Sequence, residues 1–216
     1  MSKLFLESLD KNRLDIFNKL ANFSGLGILG GGTALALQIG HRKSFDFDIF
    51  VDQKIDKNLW KKARDVFGKG TIKLLDSEDQ INLATPQGIG VTFFLGDYNN
   101  LFAPVASENI DLMNIKDIAA NKALIQGMRP KWRDYVDLYF VLKDKYLTLE
   151  EIVKISLKKF GNDFSEKLFL ERLVYWDDIQ DYTIEFVGRE TPEAKIKAFL
   201  EKEIKKFRAV SLGPDD

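Results

Sequence analysis

Two carboxylates, Asp46 and Asp48, stand at i and i+2 in Ser44-Phe45-Asp46-Phe47-Asp48. On an extended strand alternate side chains share a face about 7 Å apart, so this pair can grip hard divalent cations jointly. Upstream, the apolar Leu26, Ile28 and Leu29 run into Gly31-Gly32-Thr33 and then Ala34-Leu35-Ala36-Leu37, which reads as strand, glycine turn and helix. Bare backbone N–H groups at such a helix start cradle phosphate. Together the two features fit a nucleoside triphosphate with its magnesium. Asp-x-Asp alone would be a solvated strand face; the glycine turn at this spacing gives it a chemical role. Arg42, between His41 and Lys43, can meet a phosphate or brace Asp46, and His41 reads as a polar surface residue. With one His and no Cys in the chain, zinc lacks its usual ligands, and any metal is held by oxygen, Mg2+ or Mn2+.

A second group lies downstream. From Asn121 to Arg133 the chain carries Lys122, Arg129, Lys131 and Arg133 and no acidic residue, a run able to neutralise phosphates, including those of a nucleic acid. Arg133 and Asp137, at i and i+4, also fit a plain surface ion pair, and Trp132 fits a core position better than a base-stacking one. The segment Gly90-Val91-Thr92-Phe93-Phe94-Leu95 has no carboxylate to complete a set of three. Asp134 and Asp137 are the available replacements, about 300° apart on a helix and so largely on one face.

The order Gly-Gly-Thr-Ala-Leu-Ala-Leu, His41-Arg42-Lys43-Ser44-x-Asp46-x-Asp48 resembles the polymerase-β-like nucleotidyltransferase superfamily. More narrowly, it is similar to the AbiEii/AbiGii nucleotidyltransferase toxins of type IV toxin–antitoxin systems. Asp117-Ile-Ala-Ala-Asn-Lys122 and Arg133-Asp134-x-x-Asp137-Leu138 resemble that family's later motifs, so the likeness runs from about residue 25 to 143. It implies an Mg-dependent enzyme moving a nucleoside monophosphate from an NTP to an acceptor hydroxyl, the 3′ end of tRNA, and so blocking translation. In that picture Asp46 and Asp48 hold the metals, and Gly31, Gly32, Thr33 and Ser44 position the triphosphate. Lys122 with Arg42, Arg129 or Arg133 neutralises it. Asp134 is the acceptor base, because the activity-linked aspartate directly follows the arginine; Asp137 stands in reserve. The implied partners are an NTP, tRNA and a cognate antitoxin. The same metal site would serve an enzyme that modifies a protein or a small molecule such as an aminoglycoside, and the carboxylate-free strand would also suit an inactive antitoxin or binding module.

The elements that must position these residues follow from pattern. Glu7–Asn22 has helical spacing, and Phe45–Asp52 alternates with Phe45, Phe47, Ile49 and Val51 on one face. A helix over Asp56–Phe67 with Trp60, Ala63, Val66 and Phe67 inward is expected, then strands at Thr71–Leu75, Ile81–Ala84 and Ile89–Leu95. Only helices follow: Ile115–Gln126, Pro130–Lys143, Thr148–Phe160, Phe164–Trp176 and Pro192–Phe207, with a stray strand at Ile184–Val187. The last helix has apolar spacing suited to packing, with RNA contact by its basic face as the other use. The predicted class is α+β, a polymerase-β-like mixed sheet with helices followed by a C-terminal helical bundle. Domains are expected at 1–104 and 105–211, with a disordered tail at 212–216. The 216 residues are 45% hydrophobic and 30% charged, a folded composition, and the net charge of −1 suggests no overall affinity for polyanions. No apolar run approaches the roughly 18 residues of a membrane span, and the expected location is cytoplasmic.

Overall fold

The computed structural model describes residues 3–56, 58–128 and 131–211. The expected tail at 212–216 lies outside them. The chain divides into two units, Met1–Asn114 and Ile115–Asp216.

In the first unit the opening helix, α1 (Lys11–Lys19), is shorter than its apolar pattern suggests. Asp10 sets the start: its carboxylate accepts from the Arg13 N–H at 2.9 Å, satisfying one of the orphan donors of a first turn. Short 3₁₀ turns flank the helix on both sides. Strand β1 (Gly27–Leu29) leads through Gly30 into α2 (Gly31–Ile39). Strand β2 (Phe47–Val51) follows, with Phe47, Ile49 and Val51 buried. Helix α3 (Leu59–Phe67) then precedes β3 (Ile72–Asp76), β4 (Gln80–Ala84) and β5 (Gly90–Leu95).

The five strands form one mixed sheet in the order β1-β2-β5-β4-β3. Only β2 and β5 run parallel; every other neighbour is antiparallel. This is the α+β class expected. Two details differ. Phe45 is exposed and lies before β2, because the carbonyls of Phe45 and Asp46 are taken by side chains, Arg13 Nε at 3.0 Å and Thr33 Oγ1 respectively, instead of by a neighbouring strand. Trp60, expected inward, is partly exposed beneath two cations, with the Arg64 guanidinium 5.5 Å and the Lys73 ammonium 5.4 Å from its ring.

The division between units falls after Asn114, later than position 104. Residues 105–113 are stitched to β1: Leu112 bridges both Leu29 and Val105, and Leu29 N donates to Asp111 O while Met113 N donates to Leu29 O, each at 2.8 Å. No apolar pattern announces such a strap.

The second unit holds α4 (Ile115–Gln126), α5 (Trp132–Lys143), α6 (Leu149–Phe160), α7 (Glu166–Arg172) and α8 (Glu193–Ser211). Thr148 opens α6 with a full capping box to Glu151. Helix α7 starts at Glu166 because Ser165 caps it, accepting from Leu168 N, and it ends at Arg172, four residues before the expected Trp176; Ile184–Val187 forms no strand. In α8, Ile196, Leu200 and Ile204 recur every four residues and are buried, as a packing helix requires. Trp132 is core, stacked on Tyr135 at 5.9 Å. The Lys197 ammonium lies 5.9 Å from its ring, 5.5 Å from that of Trp176 and 4.7 Å from that of Tyr182, which ties α8 to α5 through cation–π contacts. The Tyr135 hydroxyl lies 2.9 Å from the Arg172 carbonyl and 2.8 Å from that of Tyr175, which share its one proton, and burial pushes its pKa upward. No helix among the described residues is long and apolar enough to cross a membrane.

Candidate active site

In the first unit the glycine turn and the Asp-x-Asp segment meet. Gly30 N donates to the Asp48 carbonyl at 2.8 Å, which joins the end of β1 to β2 at the point where α2 begins. Gly31, the first residue of α2, has φ +63°, in the region that favours glycine. A Cβ on Gly31 would stand 2.7 Å from Asp48 Oδ2. The Asp48 carboxylate therefore rests against the amino end of α2, where the helix dipole favours negative charge. A Cβ on Gly30 would strike the Phe50 ring at 2.3 Å, so both glycines are required by close approach.

Asp46 is exposed at the mouth of β2 and rests on a different glycine: a Cβ on Gly90, the first residue of β5, would lie 2.7 Å from Asp46 Oδ1. Gly90 was missed in the sequence, although a glycine opening a strand is a recognisable sign of close approach. Thr33 and Ser44 are buried, their hydroxyl oxygens 2.7 Å apart, and Thr33 Oγ1 donates to the Asp46 carbonyl. These two hydroxyls fix the backbone that carries Asp46. Ser8 holds the same loop from outside the motif, accepting from Ser44 N through its carbonyl and donating its hydroxyl to Ala36 O. Arg42 is buried, and its guanidinium donates to the Lys43 carbonyl at 2.9 Å.

Among the described residues no group of three or more His, Cys, Asp or Glu is placed to hold a metal ion. Two carboxylates braced on glycine backbone suit magnesium nonetheless, because that ion takes one or two protein carboxylates and completes its octahedron with water and substrate phosphate oxygens.

The second unit carries the other candidates. The Lys122 ammonium on α4 lies 2.7 Å from Asp134 Oδ1 and 2.5 Å from Asp137 Oδ2, both on α5. The side chains of Lys122, Asp134 and Asp137 are 7%, 13% and 0% exposed. Lys122 was expected among the phosphate-neutralising basics, yet its charge is committed to two carboxylates. Asp137, offered as the surface partner of Arg133, is fully buried on Lys122. Lys131 and Arg133 are exposed; Arg129 lies outside the described residues. Asp117 has a partner that no spacing rule would find, Lys159 of α6 at 2.7 Å, with both side chains buried. Burial holds the Lys159 pKa below its ordinary value, against the opposing pull of Asp117.

No family model matches the chain. A curated Aquifex aeolicus protein, aq_aa25, itself uncharacterised, is 27% identical over 210 residues, which span 94% of this chain and 98% of that one. A proposed nucleotidyltransferase from H. pylori has a similar structure, with TM-score 0.59 and 21% identity, covering 96% of this chain and all of the other. JHP933 from Helicobacter pylori gives TM-score 0.54 and 18% identity over 94% of this chain and 96% of its own. MenT4, a nucleotidyltransferase toxin from Mycobacterium tuberculosis, gives 0.59 and 15% over 88% of this chain and 79% of its own. What the chain shares with these three is the fold, a nucleotidyltransferase-type mixed sheet followed by helices.

Proposed function

We propose that this protein is a cytoplasmic, magnesium-dependent nucleotidyltransferase toxin of the AbiEii/AbiGii kind, which transfers a nucleoside monophosphate from an NTP to the 3′ end of tRNA. The observation that carries the reading is the Asp48 carboxylate seated against Gly31 at the start of α2, with Asp46 two residues away, in a fold shared with nucleotidyltransferases. The likeness in fold to MenT4, itself a nucleotidyltransferase toxin, supports the toxin part.

In this reading Asp46 and Asp48 hold the metal, and the free N–H groups at the start of α2 bind triphosphate oxygens. Bound magnesium would neutralise charge on the attacking and leaving oxygens. The acceptor hydroxyl oxygen bonds to the α-phosphorus, the bond from that phosphorus to the β-phosphate oxygen breaks, and pyrophosphate leaves. Asp134, held by Lys122, takes the hydroxyl proton. Thr33, Ser44 and Gly90 keep Asp46 in place. A cognate antitoxin is the expected protein partner.

The test is incubation of the purified protein with each α-labelled NTP, magnesium and total RNA or total protein. Label should enter tRNA, and chelation, Asp46→Asn or Asp48→Asn should each abolish it. Label in protein or in a small molecule would overturn the acceptor; full transfer by either variant would overturn the metal assignment.

A further inference from the structure

Strands β4, Gln80-Ile81-Asn82-Leu83-Ala84, and β5, Gly90-Val91-Thr92-Phe93-Phe94-Leu95, carry no charged residue. Ile81, Leu83, Val91 and Phe93 are buried on one face of the sheet. On the other face the register sets half-buried side chains in two rows. Asp48 is opposite Thr92, which is opposite Asn82; Phe50 is opposite Phe94, which is opposite Gln80. Directly opposed side chains stand about 5 Å apart, so a row of hydrogen-bonding groups leads away from the Asp48 carboxylate with a row of rings beside it. The Phe50 and Phe94 centroids are 4.1 Å apart. Gln80 Nε2 donates to Asn82 Oδ1 at 2.7 Å, which orients the Asn82 amide and leaves its own N–H donors without a partner among the described residues. The Thr92 hydroxyl has none there either.

Asp48 has a different neighbour on each side. Towards β1 it meets the start of α2, through Gly30 and Gly31. Towards β5 it meets Thr92. In phosphoryl transfer the attacking and leaving oxygens lie roughly in line across the phosphorus. With the leaving pyrophosphate on the N–H groups of α2, the attacking hydroxyl therefore arrives from the β5 side, over Thr92 and Asn82. Cations would be needed there to hold a phosphate, and carboxylates to hold an aminoglycoside; β4 and β5 supply neither. A hydroxyl, an amide and two aromatic rings suit a neutral nucleoside, whose ribose hydroxyls take hydrogen bonds and whose base stacks.

We propose that Thr92 and Asn82 form the acceptor subsite, hydrogen-bonding the ribose 2′- and 3′-hydroxyls of the last nucleoside of an RNA strand, with its base against Phe94. This rests on the nucleotide transfer proposed above and adds to it the side from which the acceptor enters and the residues that hold its end.

Fluorescence anisotropy of the full chain tests it, with a labelled single-stranded oligoribonucleotide and no NTP. The wild type should bind a strand ending in an intact ribose about three- to tenfold more tightly than the same strand ending in a 2′,3′-dideoxynucleoside, the scale of one lost hydrogen bond. Thr92→Val, which keeps the shape and suits a strand, and Asn82→Leu should each reduce or erase that preference. Thr92→Ser should keep it, and affinity for Mg-NTP should be unchanged in all three. A wild type indifferent to the 3′ end, variants that retain the full preference, or variants that lose NTP affinity instead would each overturn the subsite. The labelling experiment above reads the chemistry separately. An end preference without any transfer would overturn the proposed reaction and leave the RNA-end site standing; transfer to RNA without an end preference would overturn the subsite alone.

Discussion

Asp134 and Asp137 share one ammonium but differ in access to solvent, and that difference separates their roles. Asp134 retains some exposure, as the proposed base requires; Asp137 is fully enclosed. Asn at 134 should therefore lower transfer by about a hundredfold or more, the scale of a lost general base, while changing the melting temperature by only a few degrees. Removing the shared cation is a different event. Lys122→Met strands two carboxylates, one fully buried, and should cost about 3–5 kcal/mol, as breaking a buried ion pair does. Thermal melts of the two variants beside their transfer rates decide the matter. Asn at 134 with wild-type rate, or Met at 122 with a wild-type melt, would remove the base or the brace.

At the scale of elements, caps do much of the positioning. Asp10 starts α1, and its carboxyl is held below the usual carboxylate range chiefly by the Arg13 backbone N–H and then by the Arg13 guanidinium. Because the folded-state pKa is depressed, the stabilising effect is fully present above the unfolded value near pH 4 and is lost as pH falls through the lower folded value. Asp10→Ala should cost about 1 kcal/mol at pH 7. The gap between variant and wild type should narrow as pH falls through the depressed folded-state value, where the wild-type cap is itself protonated. Urea titrations in steps from pH 7 into acid measure both stabilities, and a gap that stays constant for as long as the wild type remains folded would mean that the carboxylate is not the capping group. Boundaries elsewhere have similar local causes: Ser165 sets the start of α7, and side chains claim the carbonyls that would have begun β2 earlier.

For the whole molecule, a net charge of −1 rules out general attraction to RNA, so an RNA acceptor must be held by a local patch. Lys131 and Arg133, exposed at the start of α5, are candidates for it. If they contact phosphates, changing either to Ala should raise the KM for the acceptor about equally across sequences. Each change should also reduce the slope of log KM against log salt by about one. Acceptor titrations from low to high KCl give the slopes, and unchanged slopes would return both residues to a simple solvated surface.

Sequence alone determined the class, nearly every helix and strand, and the association of the glycine turn with Asp46 and Asp48, because those depend on short-range periodicity and on residues that β1, α2 and β2 bring together within a few positions. Trp132 and the packing face of α8 were legible for the same reason. Only the tertiary structure decided that Asp46 rests on Gly90, that Lys122 answers to two carboxylates at once, and that Asp117 is bound to Lys159, since these pairings join residues far apart in the chain. Tertiary packing also left β3 uncovered: its aliphatic pattern looks like that of any sheet strand, and only the strand order places it at an open edge.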